Sequence, residues 1–286
     1  MINKNGTTRI IQSPFRYPGG KSFLYEYLRN EIKKTGITSP QYGEPYAGGA
    51  GAAIRLLSAG IVSRIRINDA DARIYSAWHS MVKENERFLN ELTRVKVDMK
   101  SWRKYAEIVA YPKTATSIFD LGFATFFLNR TNRSGIILRA GPIGGYKQAG
   151  EWKLDARFNK KELVRRISWL GDNEDKITLS NLDGLSYLKR ASKNQYNDKT
   201  LFFVDPPYVG AGGKLYLNLM TEKKHRQLAV FLQTGIIPHW IVTYDDCPLI
   251  SDIYKQSSVH DLEVVYSLQN KRRQNELLIK PFAIAV

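Results

Sequence analysis

The chain of 286 residues contains few of the side chains that form crosslinks or bind metals. It has one cysteine, Cys247, which excludes an intramolecular disulfide, and its four histidines cannot complete a dedicated Cys/His zinc site. No apolar run approaches the length of about 18 residues that indicates a transmembrane helix, and the polar start, residues 1–6, lacks the apolar core of a signal peptide. We therefore expect a cytoplasmic protein that uses no metal.

Acidic residues are scarce relative to basic ones. The chain contains 43 Lys and Arg against 27 Asp and Glu, which gives a net charge of +16. The excess is concentrated in residues 94–166, where 16 Lys or Arg accompany 6 Asp or Glu. Because neutralising phosphates requires a local density of cations, this segment predicts a nucleic-acid-binding surface in preference to a generic solvated one.

The most informative motif is the tetrapeptide Asp205-Pro206-Pro207-Tyr208. It follows the apolar run 201–204, which predicts a buried strand, and its two prolines prevent both a helix and further strand pairing. The motif therefore forms a rigid corner at the carboxyl end of a strand, where open α/β sheets bind their ligands. A carboxylate, a proline carbonyl and an aromatic ring at this corner suit a planar ring with an exocyclic amine. The same tetrapeptide alone would also fit a simple strand-terminating turn.

A second motif, residues 44–52 with the sequence EPYAGGAGA, predicts a loop that approaches a cofactor closely and opens a helix. Asp69 lies 18 residues after Gly51, at the end of the next predicted strand. An acid at this distance binds ribose hydroxyls in dinucleotide folds. The strict G-x-G-x-x-G pattern is interrupted because Ile54 occupies the last glycine position. A tight strand-to-helix turn is the simpler interpretation of the loop alone.

Predicted strands alternate with predicted helices along most of the chain, which indicates an α/β fold with a doubly wound, mostly parallel sheet. Residues 72–92 are predicted to form one long helix. The stretch 93–170 interrupts the alternation with helical segments that mix basic and aromatic residues. We predict that it is a small helical domain inserted between the two parts, 1–92 and 171–286, of a catalytic domain.

A third segment, residues 15–21 with the sequence FRYPGGK, completes a pattern. In order, spacing and flanks, the three motifs resemble the Dam-like DNA adenine N6-methyltransferases (D12 class, alpha type), over residues 13–281. The resemblance implies a Rossmann-like methyltransferase sheet with an inserted target-recognition domain. It also implies site-specific methyl transfer from S-adenosyl-L-methionine to N6 of adenine in double-stranded DNA, with the base flipped out of the helix.

The resemblance further implies roles for individual residues. The catalytic group comprises Asp205, Pro206 and Tyr208. The cofactor-binding group comprises Tyr17, Lys21, Glu44, Pro45, Tyr46, Gly48, Gly49, Asp69, Asp183 and Asp205. The DNA-binding group comprises Asn129, Arg130, Asn132, Arg133, Ser134, Tyr146 and Lys147.

Several alternatives stay open at the level of the sequence. Cytosine N4 and RNA adenine methylation use nearly the same chemistry, and a non-catalytic DNA-binding protein could share the scaffold. Cytosine C5 methylation is excluded, because it requires a Pro-Cys pair and Cys247 precedes its proline. The GATC-like target and the cognate restriction endonuclease of a restriction-modification system rest on the resemblance alone.

Overall fold

Within the residues that the structure, a computed structural model, describes (10–16, 21–209, 220–266 and 272–281), seven strands form one sheet. They are β1 (Gln41–Glu44), β2 (Arg64–Asn68), β3 (Ile177–Ser180), β4 (Thr200–Val204), β5 (Trp240–Asp245), β6 (Ser258–Tyr266) and β7 (Arg272–Lys280). Their spatial order is β3-β2-β1-β4-β5-β7-β6. The first five in this order are parallel neighbours, and β7 runs antiparallel to both β5 and β6. The predicted doubly wound, mostly parallel α/β fold is confirmed.

Helices connect most of the strands and cover the sheet. They are α1 (Tyr25–Lys34), α2 (Gly51–Ser58), α3 (Ala72–Lys83), α4 (Asn85–Arg94), α5 (Met99–Ala110), α6 (Ile118–Thr131), α7 (Lys160–Asp172), α8 (Gly184–Ala191), α9 (Glu222–Gln233) and α10 (Pro248–Ile253). A short 3-10 turn, Lys21–Leu24, precedes α1. No helix in the described part of the chain is long and apolar enough to cross a membrane.

The central strand β4 is apolar because both of its faces are covered. All of its residues are buried. Leu201 and Phe203 belong to one hydrophobic cluster, whereas Phe202 and Val204 belong to a second cluster. Since successive strand residues point to opposite faces of a sheet, one apolar run supplies both layers of the core.

The order of the strands reverses beside β1, which pairs with β2 on one side and with β4 on the other. Tyr42 of β1 is aligned with Ile65 of β2 and with Leu201 of β4. The carboxyl ends of β1 and β4, at Glu44 and Val204, therefore lie side by side. A crevice at such a reversal is where doubly wound sheets bind ligands.

The prediction of one long helix over 72–92 is wrong. Glu84 leaves helical geometry, with φ −117° and ψ 41°, and separates α3 from α4. The side-chain amide of Asn85 donates hydrogen bonds to the carbonyls of Met81 (2.6 Å) and Ile167 (2.7 Å). Asn85 thus ties the break to α7, and the local hydrophobic pattern cannot show this because Ile167 is 82 residues away.

The basic segment 93–170 contains α5, α6 and most of α7, and its core is continuous with that of the sheet. Helix α6 lies so close to α3 that a Cβ on Gly122 would be 2.2 Å from the carbonyl oxygen of Ser76. The ring of Phe126 lies 6.3 Å from that of Phe15, and both belong to the cluster that contains Ile65. The division into an inserted recognition domain and a catalytic domain stays a prediction.

Candidate active site

The corner after β4 is held by hydrogen bonds to one oxygen of the Asp205 carboxylate. Oδ1 accepts from the hydroxyl of Thr243 on β5 (2.6 Å) and from the hydroxyl of Tyr208 (3.1 Å). Lys21 Nζ lies 3.2 Å from the same oxygen. Among the described residues no hydrogen bond reaches Oδ2, and the side chain is 20% exposed. As far as the described residues show, the carboxylate is fixed by one oxygen and its other oxygen is left for a ligand.

Lys21 lies beneath this corner, not at the surface. Its buried ammonium donates to the hydroxyl of Tyr208 (2.7 Å) and forms ion pairs with Asp205 (3.2 Å) and with Glu276 of β7 (3.3 Å). It also lies 5.0 Å from the centroid of the Tyr208 ring. Lys21 thus joins the 3-10 turn before α1 to the corner after β4 and to the middle of β7. The predicted cofactor contact of Tyr17 falls outside the described residues.

Tyr208, predicted to stack on a target base, is buried in this structure. Its hydroxyl accepts from Lys21 and donates to Asp205, and its ring centroid is 6.3 Å from that of Tyr244. Stacking on an incoming base therefore requires Tyr208 to leave this position.

The glycine-rich loop between β1 and α2 is fixed on several sides. The N–H of Gly48 donates to Asp69 Oδ2 (2.9 Å), and the carbonyl of Gly48 accepts from the indole N–H of Trp78 (2.9 Å). The carbonyl of Gly49 accepts from the hydroxyl of Ser13 (2.5 Å). Gly48 and Ala50 have positive φ angles, 47° and 44°, in the left-handed region that favours glycine. The loop is thus a rigid cradle that ends at the N-terminus of α2.

Two adjacent residues at the end of β2 connect this cradle to β3. The side-chain amide of buried Asn68 donates to the backbone carbonyls of Pro45 (2.8 Å) and Leu182 (2.9 Å). Its Oδ1 accepts from the hydroxyl of Ser180 (2.8 Å). Asp69 is half-buried, and burial raises the pKa of its carboxyl to about 6 despite the hydrogen bonds from the Gly48 and Asp71 amides. Asp69 therefore helps to hold the glycine-rich loop in place. Its contact with ribose hydroxyls stays a prediction and would be a second role.

Glu44 ends β1 next to the corner formed after β4, and it is buried. The N–H of Ala53 donates to its Oε1 (3.3 Å). Burial raises the pKa of Glu44 to about 8, and the negative charge of Asp205 adds to the effect. The carboxyl group is therefore mostly protonated at neutral pH, and it can donate as well as accept a hydrogen bond.

Asp183 and Tyr46 lie at the same edge of the sheet. Asp183 caps α8 by accepting from the N–H of Ser186 (3.3 Å), and it pairs with Lys224 of α9 (3.2 Å). The ring of Tyr46 packs directly on Gly184, where a Cβ would be 2.2 Å from the ring. Asp183 thus acts as the N-cap of α8, and its side chain is still 45% exposed.

The two asparagines predicted to contact DNA lie inside the protein. The amide of Asn129 bonds to the backbone of Arg16 through both its oxygen (2.8 Å) and its nitrogen (2.5 Å). Asn132 accepts from the indole N–H of Trp102 (2.8 Å) and donates to the carbonyls of Ile136 and Ile137 (2.9 and 3.0 Å). Because their amides are buried and bonded within the protein, we assign both residues to holding the loop after α6.

The two arginines of this region differ in their surroundings. Half-buried Arg130 donates to the carbonyls of Arg157 and Pro14, so its guanidinium fastens α6 to the segment before Lys21. Arg133 is exposed and donates from Nε to the carbonyl of Ala140 (2.7 Å), which leaves the outer edge of its guanidinium at the surface.

Beside Arg133, Ser134 has a positive φ of 55° and turns the chain sharply. Tyr146 is 64% exposed, and its ring lies 5.6 Å from that of Trp102. Lys147 is also exposed. The exposed members of the predicted DNA-binding group thus belong to the two loops, 132–135 and 141–150, that follow α6.

Comparison with known families agrees with this geometry. The sequence model of the D12 class N6 adenine-specific DNA methyltransferase family matches residues 17–268. That match includes residues 17–21 of the N-terminal motif, the other two motifs in full, the strands from β1 to β6 and the whole basic segment.

The chain belongs to this family.

The protein is therefore an adenine-specific DNA methyltransferase, and DNA is its substrate. This result favours adenine in DNA over the cytosine N4, RNA and non-catalytic alternatives. A search of curated proteins finds no match. Within the described residues, no group of His, Cys, Asp or Glu side chains could hold a metal ion.

Four residues of the methyltransferase site were not predicted from the sequence. Each of them contacts a residue that was predicted. The four are Asn68, Trp78, Thr243 and Glu276. Asn68 carries a local signal, since it is a polar residue at the end of an apolar strand and next to Asp69. Thr243 and Glu276 carry no such signal, because only the sheet brings β5 and β7 beside β4.

Proposed function

We propose that the protein transfers a methyl group from S-adenosyl-L-methionine to N6 of an adenine that is flipped out of double-stranded DNA at a specific sequence. The observation that carries this proposal is the state of Asp205, whose Oδ1 is held by Thr243 and Lys21 while Oδ2 has no hydrogen bond among the described residues. A fixed carboxylate with one available oxygen is suited to accept an N–H bond from an exocyclic amine.

The chemistry requires this acceptor because an exocyclic amine is a poor nucleophile. Its lone pair is delocalised into the adenine ring, and hydrogen bonds from both N–H groups favour the tetrahedral nitrogen that can attack. Asp205 Oδ2 would accept one of these bonds. The carbonyl of Pro206, next along the rigid corner, would accept the other. Much of the acceleration then comes from alignment of the amine with the methyl group.

The residues around the cradle fit a nucleoside-containing methyl donor. S-adenosyl-L-methionine supplies a methyl group that is already activated by its sulfonium. Half-buried Asp69 would accept from the ribose hydroxyls. The partly exposed Asp183 carboxylate would accept from the adenine amine. Pro45, Tyr46, Gly48 and Gly49 would form the wall of the site, with Glu44 buried behind it. This proposal is supported by the tight packing of Tyr46 on Gly184 and by the left-handed turn at Gly48.

The depth of the catalytic corner supports base flipping as part of this proposal. Tyr208 and Lys21 are buried, and the Asp205 side chain is only 20% exposed, so an adenine stacked within duplex DNA cannot reach Oδ2. An adenine turned out of the helix would displace Tyr208 from its hydrogen bonds, and the freed ring would then stack on the base.

The DNA surface in this proposal consists of the loops after α6. Arg133, Ser134, Tyr146 and Lys147 would contact DNA there, and the basic residues of segment 94–166 would neutralise phosphates. A cognate restriction endonuclease stays a prediction of the family resemblance.

A methyl-transfer assay tests the proposal. Purified protein is incubated with tritiated S-adenosyl-L-methionine and either duplex DNA or RNA, and the product is digested to nucleosides and separated. We expect label in N6-methyladenine from DNA only, and loss of more than tenfold in kcat for Asp205→Ala, which corresponds to more than about 1.4 kcal/mol. Asp172→Ala, which removes an exposed carboxylate at the end of α7, is the matched control. Label in N4-methylcytosine or RNA, or an active Asp205→Ala variant, would overturn the proposal.

A further inference from the structure

Glu276 is a buried carboxylate that the catalytic motifs do not include. It lies on β7 in register with Asp245 of β5 and is 1% exposed. Its Oε2 is 3.3 Å and its Oε1 3.5 Å from the ammonium of Lys21. An acidic side chain is almost never fully buried unless it is paired, and Lys21 is the cation that pairs with it here.

Lys21 is consequently shared between two carboxylates. Its ammonium lies 3.2 Å from Asp205 and 3.3 Å from Glu276, and it also donates to the hydroxyl of Tyr208. With both carboxylates ionised, one cation and two anions give this network a net charge of −1, whereas Lys21 and Asp205 alone would cancel. Because the network is buried, its charge is weakly screened by solvent and salt.

We propose that Glu276 is a positioning residue for methyl transfer, which holds Lys21 and gives the catalytic network the negative charge that favours a cationic methyl donor. The inference rests on the proposed function, because the sulfonium must come close to Asp205 if its methyl group is to reach the amine bound there. The positive charge passes toward the amine during transfer, so a negative network favours the cation throughout the reaction.

Neutralising Glu276 has two consequences. Lys21 would pair with Asp205 alone, which strengthens its hold on Oδ1 and draws negative charge away from Oδ2, the oxygen proposed to accept the substrate amine. The net charge of the network would rise from −1 to zero. The charge of the ligand therefore separates this role from simple structural support, because lost packing weakens cationic and neutral ligands alike.

The test uses calorimetric titration of the full-length protein with S-adenosyl-L-methionine, which is cationic at sulfur, and with S-adenosyl-L-homocysteine, which is neutral there. For Glu276→Gln we expect the affinity for the cationic ligand to fall about tenfold and that for the neutral ligand less than threefold. The kcat for DNA should fall at least tenfold while the dissociation constant for DNA is unchanged. Glu276→Asp should recover part of both losses.

Glu31→Gln is the matched control. Glu31, on α1, forms an ion pair (3.2 Å) with Lys280, the last residue of β7, away from the network around Lys21. The loss of this ion pair should leave both ligand affinities unchanged. The double variant Lys21→Gln with Glu276→Gln provides a second test. Of the three side chains, only Asp205 is then charged, so the network again carries a charge of −1. The double variant should therefore regain the preference for the cationic ligand, even if its kcat is low.

The inference is overturned if Glu276→Gln weakens both ligands equally, or if the double variant keeps the altered preference of the single one. If Glu276→Gln does not fold, the double variant is compared with the wild type. A preference for S-adenosyl-L-methionine over S-adenosyl-L-homocysteine that is weaker than in the wild type then contradicts the charge argument. Failure of the proposed function is separate, since a wild-type protein that binds neither ligand and methylates no adenine would contradict that proposal before any variant is made.

Discussion

The hydroxyl of Thr243 donates a hydrogen bond of 2.6 Å to Oδ1 of Asp205. The two residues come from neighbouring parallel strands, Thr243 from within β5 and Asp205 from directly after β4. This bond fixes the rotation of the carboxylate, and with it the position of Oδ2.

Replacing Thr243 by valine should therefore slow methyl transfer without weakening DNA binding. Valine keeps the branched shape and removes the donor, and loss of one hydrogen bond to a charged group costs about 1.5 to 3 kcal/mol, or roughly ten- to a hundredfold in kcat. Steady-state kinetics on duplex DNA measure this. Thr243→Ser keeps the hydroxyl and should retain most of the activity, so equal kcat values for the two variants would contradict the role of the bond.

Glu44 should make the stability of the protein depend on pH. Its pKa is raised from 4.5 to about 8 on folding, so the folded protein binds a proton that the unfolded chain releases. The contribution of Glu44 to stability is thus complete below pH 4.5 and is lost as the pH rises through about 8.

The variant Glu44→Gln cannot ionise, and it should gain stability relative to the wild type between pH 5 and pH 8, by about 2 to 4 kcal/mol. Urea unfolding followed by circular dichroism at both pH values measures the difference. Glu151→Gln, which changes an exposed carboxylate, serves as the control. Parallel stability curves for wild type and Glu44→Gln would show that Glu44 is ionised in the folded protein.

Asn68 should be needed for both folding and cofactor binding. Its side chain connects Pro45 in the loop after β1, Ser180 at the end of β3 and Leu182 in the loop after β3. Asn68→Ala leaves buried carbonyl groups without donors, and we expect a loss of about 3 kcal/mol in the free energy of unfolding. Affinity for S-adenosyl-L-methionine should fall at least tenfold in calorimetric titration. The exposed Asn90→Ala is the control, and an Asn68→Ala protein of wild-type stability would refute this role.

Arg133 and Arg130 should have different effects on DNA recognition. We propose that exposed Arg133 contacts a base edge, so Arg133→Ala should relax the choice of base at one position, at a cost of about 1 to 3 kcal/mol. Arg130 is bonded to backbone carbonyls, so Arg130→Ala should lower the melting temperature and leave the sequence preference unchanged. Methylation of a randomised DNA library followed by sequencing of the modified sites measures the preference.

Lys161, exposed at the start of α7, is the comparison for a phosphate contact. Lys161→Ala should weaken all sequences equally and reduce the salt dependence of binding by about one unit. If Arg133→Ala behaves in the same way, Arg133 contacts phosphate, and base recognition must then lie in the loop 141–150.

The parts of the site that could be predicted from the sequence are those that a few consecutive residues determine. The apolar run before Asp205 and the two prolines after it specify a strand and a corner, whatever else the chain contains. The same holds for the loop that carries Gly48 and Gly49. The alternation of strands and helices was likewise enough to predict a mostly parallel sheet, because each strand can be recognised from its own residues.

The remaining features depend on contacts between distant segments. Glu276 and Lys21 are separated by 255 residues, and only the placement of β7 next to β5 makes Glu276 part of the site. Asn129 in the last turn of α6 and Asn132 directly after it belong to a polar stretch that resembles a surface loop in sequence. Their amides turn inward to satisfy the backbone of Arg16 and the loop 135–137, which no local pattern indicates.

The position of β7 between β5 and β6 also affects the protein during its synthesis. This strand is the last of the described sheet to leave the ribosome, although it pairs in the interior of the sheet with two strands that were made earlier. Until it emerges, Lys21 has only one of its two carboxylate partners, and β5 lacks a neighbour on one side. A nascent chain can therefore complete the ion pairs of Lys21 with Asp205 and Glu276 only after β7 has emerged.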